Sequence, residues 1–324
     1  MTVVAAELSA SDGPLRAQQR WSIFRQLLRK KIAVVVMVYL ALFYGIAILA
    51  PVLAPSDPNR QELTVEARKQ GPSSDHLLGT DSLGRDLLSR VMYAARTTIL
   101  FTAVAVLSGT LLLGLGLGML AGYRGGWVDA TIIRVGEILS SLPSLVLILG
   151  ISASLRPRIN DISFWLQDHT VLGADAKVIV KFSILVLATA PFSWYGSARV
   201  VRSQVLAIRE ATYVAAAEAL GASTPRILFR HVLPGVIPLF LVGLSSGMAG
   251  YATLELALSY IGLGLDPPTS SFGTLINDAG GIRTFQQTPH LLLAGALPVV
   301  FFIYAWNLLG DALVDIFERR TSRT

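Results

Sequence analysis

The sequence contains no cysteine among its 324 residues, and it is poor in charged residues. Without cysteine, the chain has no disulfide, no thiolate metal site and no cysteine nucleophile. Charged residues make up 15% of the chain, whereas hydrophobic residues make up 53%. Soluble domains carry about 25% charged residues. This composition therefore excludes an ordinary soluble domain.

The signatures of nucleotide and metal sites are missing as well. None of the five lysines lies in the motif Gly-x-x-x-x-Gly-Lys-[Ser/Thr], the phosphate-binding loop of many ATPases. The four histidines, at positions 76, 169, 231 and 290, are too far apart for a metalloprotease motif. The basic residues behind the net charge of +6 flank apolar runs instead of forming one polar face. We therefore predict no catalytic site, no metal site and no nucleic-acid partner.

Long apolar segments dominate the rest of the chain. A helix needs about 20 mostly apolar residues to cross a bilayer. Pro191 interrupts the fourth of the segments that qualify, and the first is too long for the apolar region of a cleavable signal peptide. We predict an all-α membrane protein with six transmembrane helices, at residues 32–54, 97–123, 138–155, 182–198, 232–254 and 291–310.

The distribution of lysine and arginine predicts the orientation. Six spans place both termini on one side of the membrane, and that side carries fifteen of these residues against ten on the other. The positive-inside rule then places both termini in the cytoplasm of a multi-pass cell-membrane protein. The predicted divisions are a cytoplasmic tail (1–31), a first transmembrane helix (32–54), an extracytoplasmic loop (55–96), a five-helix core (97–313) and a cytoplasmic tail (314–324).

Two features outside the apolar pattern bear on packing. The predicted external loop holds Leu78-Gly79-Thr80-Asp81 and Gly84-Arg85-Asp86, and the spacing leaves open whether they cap turns in a linker or form a folded element. Glycines at 114, 118 and 122 repeat every four residues in the second span. Small residues on one helix face let another membrane helix approach closely.

The loop between the fourth and fifth spans predicts a helical hairpin. Residues 203–220 include no glycine or proline and are rich in alanine, which favours a helix. We expect Gly221 to end that helix in a left-handed backbone conformation. Ser223 or Thr224 can cap a second helix, with Pro225 at its first position. Such a hairpin is typical of a docking surface, and a solvated amphipathic loop is the alternative.

At this loop the sequence resembles the transmembrane subunits of binding-protein-dependent ABC importers. Their signature is Glu-Ala-Ala, three residues, Gly, nine residues, a hydrophobic residue, one residue and Leu-Pro. Here Ala215 replaces the glutamate and His231 replaces the hydrophobic residue, while the spacing from Gly221 to Leu233-Pro234 is intact. The resemblance implies that the ATPase-coupling residues are Glu210, Tyr213, Ala215, Ala216, Ala217, Glu218, Gly221, Ala222, Leu233 and Pro234.

Further motifs, in order along the chain, resemble the C-type permeases for dipeptides, oligopeptides and nickel. Besides the two motifs of the predicted external loop, they are Ala121-Gly122-Tyr123 with Gly125-Gly126-Trp127-Val128-Asp129, Leu142-Pro143-Ser144, Ser259-Tyr260-Ile261-Gly262-Leu263-Gly264 before Pro267-Pro268, and Asn307-Leu308-Leu309-Gly310-Asp311.

This resemblance implies the transmembrane domain of a type I ABC importer, with the hairpin as its cytoplasmic coupling helix. It also implies a heterodimer with a second homologous permease, two cytoplasmic ATPases that bind ATP and magnesium, and an extracytoplasmic substrate-binding protein. No cofactor is expected in this chain. Short peptides are the expected cargo, and nickel or a nickel chelate is the alternative. An ion-coupled secondary transporter, a different class, is expected to show internal repeats, and none is evident.

Ionisable residues near the membrane are candidates for the transport pathway. Arg134 and Glu137 are spaced i, i+3 and are predicted to pair. Glu255 follows the fifth predicted span, where it either lines the substrate pathway or contacts interfacial water. The absence of cysteine and the scattered histidines speak against a path for bare nickel, which would require soft or imidazole ligands.

Overall fold

A computed structural model describes residues 25–169, 176–264 and 269–321. Most of the predicted amino-terminal tail, the Pro267-Pro268 motif and the last three residues lie outside this part of the chain. The described residues form helices and connecting turns, with one isolated bridge between Thr80 and Asp86 in place of any sheet. The predicted all-α fold is confirmed.

Thirteen α-helices and two π-helical segments are named here for the described residues. Each π-helical segment is continuous with the α-helices on both sides of it. The first seven helices are α1 (Lys31–Leu53), α2 (Leu87–Ala105), α3 (Gly116–Arg124), α4 (Gly126–Ser141), α5 (Ser144–His169), α6 (Ala176–Ser193) and α7 (Tyr195–Arg209). The others are α8 (Thr212–Ala219), α9 (Thr224–Ile227), α10 (Leu233–Tyr260), α11 (Phe272–Asp278), α12 (Ile282–Gln287) and α13 (Pro289–Thr321). The π-helical segments are Val106–Leu115 and Leu228–Val232.

Several of these helices are long and apolar enough to cross a membrane. Within the described residues, four stretches qualify: Lys31–Leu53, Leu87–Arg124, Thr224–Tyr260 and Pro289–Phe317. Phe182–Ser193 and Tyr195–Arg209, bent by 43°, count together as a fifth. The chain is therefore a multi-pass membrane protein, although the predicted number of six spans is not reproduced by these lengths and compositions.

The difference arises at the third predicted span, because residues 138–155 do not form one helix. α4 ends at Ser141, Leu142 is extended with a ψ of 141°, and α5 begins at Ser144. Pro143 explains the break, since proline lacks an N–H and pushes the preceding residue out of helical conformation. In the fourth span, Pro191 lies inside α6, and the bend comes three residues later at Trp194.

The glycine stripe of the second span packs against α7, as predicted. A Cβ on Gly118 would lie 2.7 Å from the carbonyl oxygen of Ala198 and 2.8 Å from Cβ of Val201. A Cβ on Gly122 would lie 2.7 Å from Cβ of Val205. Contacts this short leave no room for a side chain, so glycine sets the distance between α3 and α7.

Aromatic side chains form the centre of the larger hydrophobic core, which joins α1, α2, α10, α11 and α13. The rings of Phe43 and Phe302 have centroids 4.6 Å apart, and Phe272 packs against Phe43. The outer side of α1 is exposed, with Ile48 67% and Val52 82% accessible. Exposed apolar surface of this kind is what a helix presents to lipid.

Candidate functional site

A cavity of about 410 Å³ lies inside the bundle, between the first π-helical segment and α5, α6, α7 and α10. Its polar lining includes the hydroxyl side chains of Thr110, Ser144, Ser193 and Ser197. The described residues around it include no acid and no base. Sites for small molecules commonly measure about 300–1,000 Å³. The cavity therefore has room for a small solute, and its described lining offers no fixed charge with which to select one.

Close packing narrows one side of this cavity. The hydroxyl oxygens of Thr110 and Tyr251 are 3.0 Å apart. A Cβ on Gly109 would lie 2.2 Å from Ser193 Oγ and 2.9 Å from the Tyr251 hydroxyl oxygen. Glycine at position 109 leaves the space that the hydroxyl groups of Ser193 and Tyr251 occupy. Sequence reasoning did not find these residues, because only the packing of distant segments brings them together.

The predicted hairpin is present between α7 and α10, but its first helix is interrupted. α7 ends at Arg209, and Ala211 has an extended backbone with φ −72° and ψ 140°. A new helix, α8, begins at Thr212. The prediction of one continuous helix over 203–220 is therefore wrong at Glu210 and Ala211. Intrinsic helix propensity is a weak preference that tertiary contacts override.

The turn of the hairpin forms as predicted. Gly221 follows α8 with a φ of +78°, a left-handed conformation that favours glycine. Ser223 is the N-cap residue of α9, but its side chain makes no capping hydrogen bond, so the predicted side-chain cap is wrong. Pro225 lies in the first turn of that helix. The chain then continues through the second π-helical segment into α10, which begins at Leu233. We call α8, the Gly221 turn and α9 the hairpin.

Most of the predicted coupling residues lie on the surface of the hairpin. Val214 and Ile227 are buried and attach it to the rest of the bundle. Leu233 and Pro234 stand apart from the hairpin surface, at the start of α10. The exposed predicted residues are Glu210, Tyr213, Ala215, Ala216, Glu218, Gly221 and Pro234, while Ala217, Ala222 and Leu233 are half-buried.

His231 replaces the hydrophobic residue of the family signature, and it packs beside the hairpin. Its ring centroid lies 6.4 Å from that of Tyr213, with the two planes tilted by 43°. An aromatic contact therefore forms at the position where the signature has an apolar side chain.

Three polar contacts attach the hairpin and α7 to the turn between α3 and α4. The Tyr123 hydroxyl donates to Glu218 Oε1 at 2.8 Å. Arg209 Nη1 donates to the carbonyl oxygen of Tyr123 at 3.0 Å. Arg202 forms a bidentate pair with Asp129, in which Nη2 lies 2.5 Å from Oδ2. Tyr123 and Asp129 belong to motifs shared with the C-type permeases. Nothing else in the sequence indicated that they make these contacts.

The segment between α1 and α2 is a folded element, and aspartates cap its turns as the linker alternative predicted. The backbone N–H of Thr80 donates to the Gln70 carbonyl at 3.1 Å, and its hydroxyl donates to the Ala67 carbonyl at 2.6 Å. Gly79 has a φ of +81°, and a Cβ there would lie 2.3 Å from the Gln70 carbonyl oxygen. The Leu-Gly-Thr-Asp motif thus turns the chain back onto itself.

Two aspartates and two arginines form a charge cluster that joins this segment to α11. Asp81 Oδ2 accepts from Arg85 Nε at 2.6 Å and from Arg90 Nη1 at 2.5 Å. Asp278 Oδ2 lies 3.2 Å from Arg85 Nη2 and 3.1 Å from Arg90 Nη1. The side chains of Asp81, Arg85 and Arg90 are at most 5% exposed, and that of Asp278 is 35% exposed. This charge cluster connects residues nearly two hundred positions apart.

Asp86, the last residue of the second motif, caps α2. Its Oδ2 accepts from the backbone N–H of Ser89 at 2.8 Å and from the Ser89 hydroxyl at 2.7 Å. Its Oδ1 lies 2.9 Å from His76 Nδ1. An aspartate at this position satisfies N–H groups that the first helical turn leaves free.

Glu255 is fully buried on α10, and it is absent from the residues that line the cavity. Thr98 on α2 donates to its Oε2 at 3.0 Å, and Ser259 donates to its Oε1 at 2.8 Å. The sequence predicted that this side chain either lines the substrate pathway or contacts interfacial water. In the structure, one hydroxyl group bonds each of its carboxylate oxygens. Its role in the substrate pathway stays a prediction.

The predicted pair of Arg134 and Glu137 is confirmed, with Nη1 and Oε2 3.6 Å apart on the exposed side of α4. Among the described residues, no group of three or more histidines and carboxylates lies close enough to hold a metal ion.

Comparison with known proteins gives matches along most of the chain. Residues 114–323 match the family model described as binding-protein-dependent transport system inner membrane component. Residues 19–72 match the N-terminal TM domain of oligopeptide transport permease C. Among solved structures, inward-facing conformations of the MetNI methionine ABC transporter give a TM-score of 0.49 at 19% identity, over 71% of this chain and 95% of that one.

Curated relatives match this chain over most of its length and most of their own. The dipeptide transport permease DppC of Alkalihalophilus pseudofirmus is 33% identical over 91% of this chain and 88% of its own. The glutathione transport permease GsiD of Pectobacterium atrosepticum is 32% identical, over 92% and 90%. The oligopeptide transport permease OppC of Bacillus subtilis is 30% identical, over 97% and 95%. The chain therefore belongs to the family of binding-protein-dependent transport system inner membrane components, the permease subunits of ABC importers.

Proposed function

We propose that this permease forms one half of an import pathway for short peptides and that the hairpin couples the pathway to cytoplasmic ATPases. The other half is a second homologous permease, so that the two form a heterodimer. Two ATPase subunits bind ATP and magnesium, and an extracytoplasmic binding protein delivers the peptide. The relatives named for dipeptide, oligopeptide and glutathione transport support this cargo class.

The uncharged side chains of the described cavity lining are the observation that carries the peptide assignment. Short peptides differ in side-chain charge, so a pathway that admits many of them cannot hold a fixed charge that traps one sign. Hydroxyl groups such as those of Thr110 and Ser193 donate and accept hydrogen bonds, which suits amide N–H and C=O groups equally. Nickel would instead need a cluster of imidazole or soft ligands.

Uptake into vesicles that hold the complete importer tests the cargo. We expect saturable, ATP-dependent uptake of labelled di- to hexapeptides and no competition by nickel. Failure of every peptide tested, together with saturable nickel uptake, would assign the importer to the alternative cargo. Neither result depends on how the hairpin works.

The coupling role of the hairpin rests on its exposed surface and on Gly221. Any side chain at Gly221 opposes the left-handed turn that directs α9 away from α8. We expect Gly221→Val to separate ATP hydrolysis from peptide uptake while the permease still inserts into the membrane. If the complex with this change keeps full uptake and full peptide-stimulated hydrolysis, the hairpin is not the coupling element.

The same proposal places the hairpin in the cytoplasm and the α1–α2 segment outside. Because the chain has no cysteine, one introduced cysteine is a unique probe. Asn59 and Ser223 are both exposed, so either position can react once a reagent reaches it. An impermeant thiol reagent added to intact cells should label a cysteine at 59 and not one at 223. The reverse pattern would overturn the orientation.

A further inference from the structure

The acidic group of the hairpin stands at a different position from that of the family signature. Position 215, the glutamate position, is an exposed alanine, and the acid of α8 is Glu218. Its carboxylate is bonded within the chain, by the Tyr123 hydroxyl at 2.8 Å. The exposed residues that remain on α8, among them Tyr213, Ala215 and Ala216, carry no charge.

Tyr123 holds the chain on both sides of α8. Its carbonyl oxygen accepts from Arg209, which precedes α8, and its hydroxyl donates to Glu218, which lies in the last turn of α8. The two groups belong to one residue at the end of α3. A displacement of α8 therefore acts on α3 through the Glu218 contact, and the Arg209 contact joins the end of α7 to the same residue.

α3 is in turn joined to the wall of the cavity. Gly118 and Gly122 pack α3 directly against α7. The first π-helical segment runs into α3 without a break, and it carries Thr110, which lines the cavity. Packed helices and hydrogen bonds of this kind form a contiguous network from the hairpin to the cavity, and such networks can carry coupling between two distant sites.

We propose that Tyr123 is a positioning residue: through Glu218 its hydroxyl holds α8 on the α3–α4 turn, so that movement of the hairpin displaces the wall of the cavity. This inference rests on the proposed coupling role of the hairpin. It assigns the acid of α8 to a contact inside the permease, whereas an acid at position 215 would face outward.

The test measures how many peptides are imported for each ATP hydrolysed. Complete importer with Tyr123→Phe, Glu218→Ala or both is placed in vesicles with labelled trialanine outside and ATP at the side of the ATPases. We expect each single change to lower the ratio about fivefold, which corresponds to about 1 kcal/mol, the net contribution of a typical intramolecular hydrogen bond. The double variant should lose no more than Tyr123→Phe alone, because Tyr123→Phe already removes the bond to Glu218 together with the contact of its hydroxyl with Thr224.

Matched variants separate this role from general damage. Glu137→Gln removes an exposed ion pair on the neighbouring helix α4 and should leave the ratio unchanged. Glu218→Gln keeps an oxygen that accepts from Tyr123, so it should keep most of the ratio. Equal losses in Glu218→Gln and Glu218→Ala, with none in Tyr123→Phe, would show that the charge of Glu218 acts elsewhere and would overturn the proposal.

An acid at the family position gives the sharpest comparison. Adding Ala215→Glu to Glu218→Ala should not restore the ratio, because the carboxylate then starts about 4.5 Å further along the helix axis from the position that bonds the Tyr123 hydroxyl. Restoration would mean that the acid acts on an ATPase, and the proposal would be wrong. Gly221→Val, measured in parallel, tests the coupling role of the hairpin separately from the role of Tyr123. If Gly221→Val lowers the ratio while Tyr123→Phe does not, the hairpin couples and only the proposed role of Tyr123 is wrong.

Discussion

The charge cluster at the start of α2 permits a quantitative prediction. Asp81 accepts from two buried arginines, and its other oxygen accepts from the backbone N–H groups of Leu83 and Arg85 at 2.8 and 3.0 Å. Asp81→Asn replaces one acceptor oxygen by an amide N–H₂ that faces guanidinium donors. Two buried cations then share only Asp278.

The expected cost follows from burial. Removing one partner of a buried ion pair costs about 3–5 kcal/mol, because the remaining charge stays uncompensated. If each kcal/mol lowers the unfolding midpoint by about 2 °C, the value for larger domains, Asp81→Asn lowers it by about 6–10 °C. Asp278→Asn should cost less, since that side chain is 35% exposed and solvent screens the loss.

Glu62 provides the control in the same segment. It lies 3.8 Å from Arg60, and both side chains are at least 50% exposed. An exposed pair contributes about 0–1 kcal/mol, so Glu62→Gln should leave the midpoint within about 2 °C of that of the unchanged protein. Thermal unfolding in detergent measures the midpoints of the three variants, which should fall most for Asp81→Asn, less for Asp278→Asn and least for Glu62→Gln. Hydrogen exchange of residues 56–86 is the local probe. An Asp81→Asn midpoint equal to that of Glu62→Gln would refute the reasoning.

Other predictions concern helix packing and Glu255. Gly118→Ala places a Cβ 2.7 Å from the Ala198 carbonyl, so it should cost about 1–3 kcal/mol as overpacking. Gly116→Ala meets nothing within 4 Å and should be tolerated, and equal thermal midpoints for the two would contradict the close approach of α3 to α7. Glu255→Gln should leave the KM for peptide uptake unchanged, because among the described residues its carboxylate accepts from Thr98 and Ser259 and it does not line the cavity; a rise in KM would place it in the pathway.

Periodic features of the sequence were sufficient to predict much of the fold. Long uncharged runs identify helices such as α1, since the bilayer demands about 20 apolar residues whatever their neighbours. The glycine stripe predicted a close helix contact, and Gly221 predicted the hairpin turn, because both depend on steric rules for a residue without a side chain. Pro143 was present in the sequence, but its effect was missed because the apolar run continues across it.

Side-chain pairs distant along the chain could not be predicted. Asp81 and Asp278 meet through two arginines, and Tyr123 meets Glu218, only because the packing of several helices determines which ends lie together. Helix propensity failed at Glu210 for the same reason. The alanine-rich composition favours a continuous helix, and the contact from Arg209 to the Tyr123 carbonyl lies where α7 ends.

The arrangement of charge along the bundle agrees with transport of varied solutes. The charge cluster and the Arg202–Asp129 pair beside the hairpin lie near the ends of helices, and the described lining of the cavity has no ionisable side chain. A fixed charge inside a membrane protein is strongly stabilised by an ion of opposite sign. Cargo with that sign would bind tightly and leave slowly. We infer that the uncharged lining shortens the residence of cargo, and that discrimination among solutes is left to the binding protein.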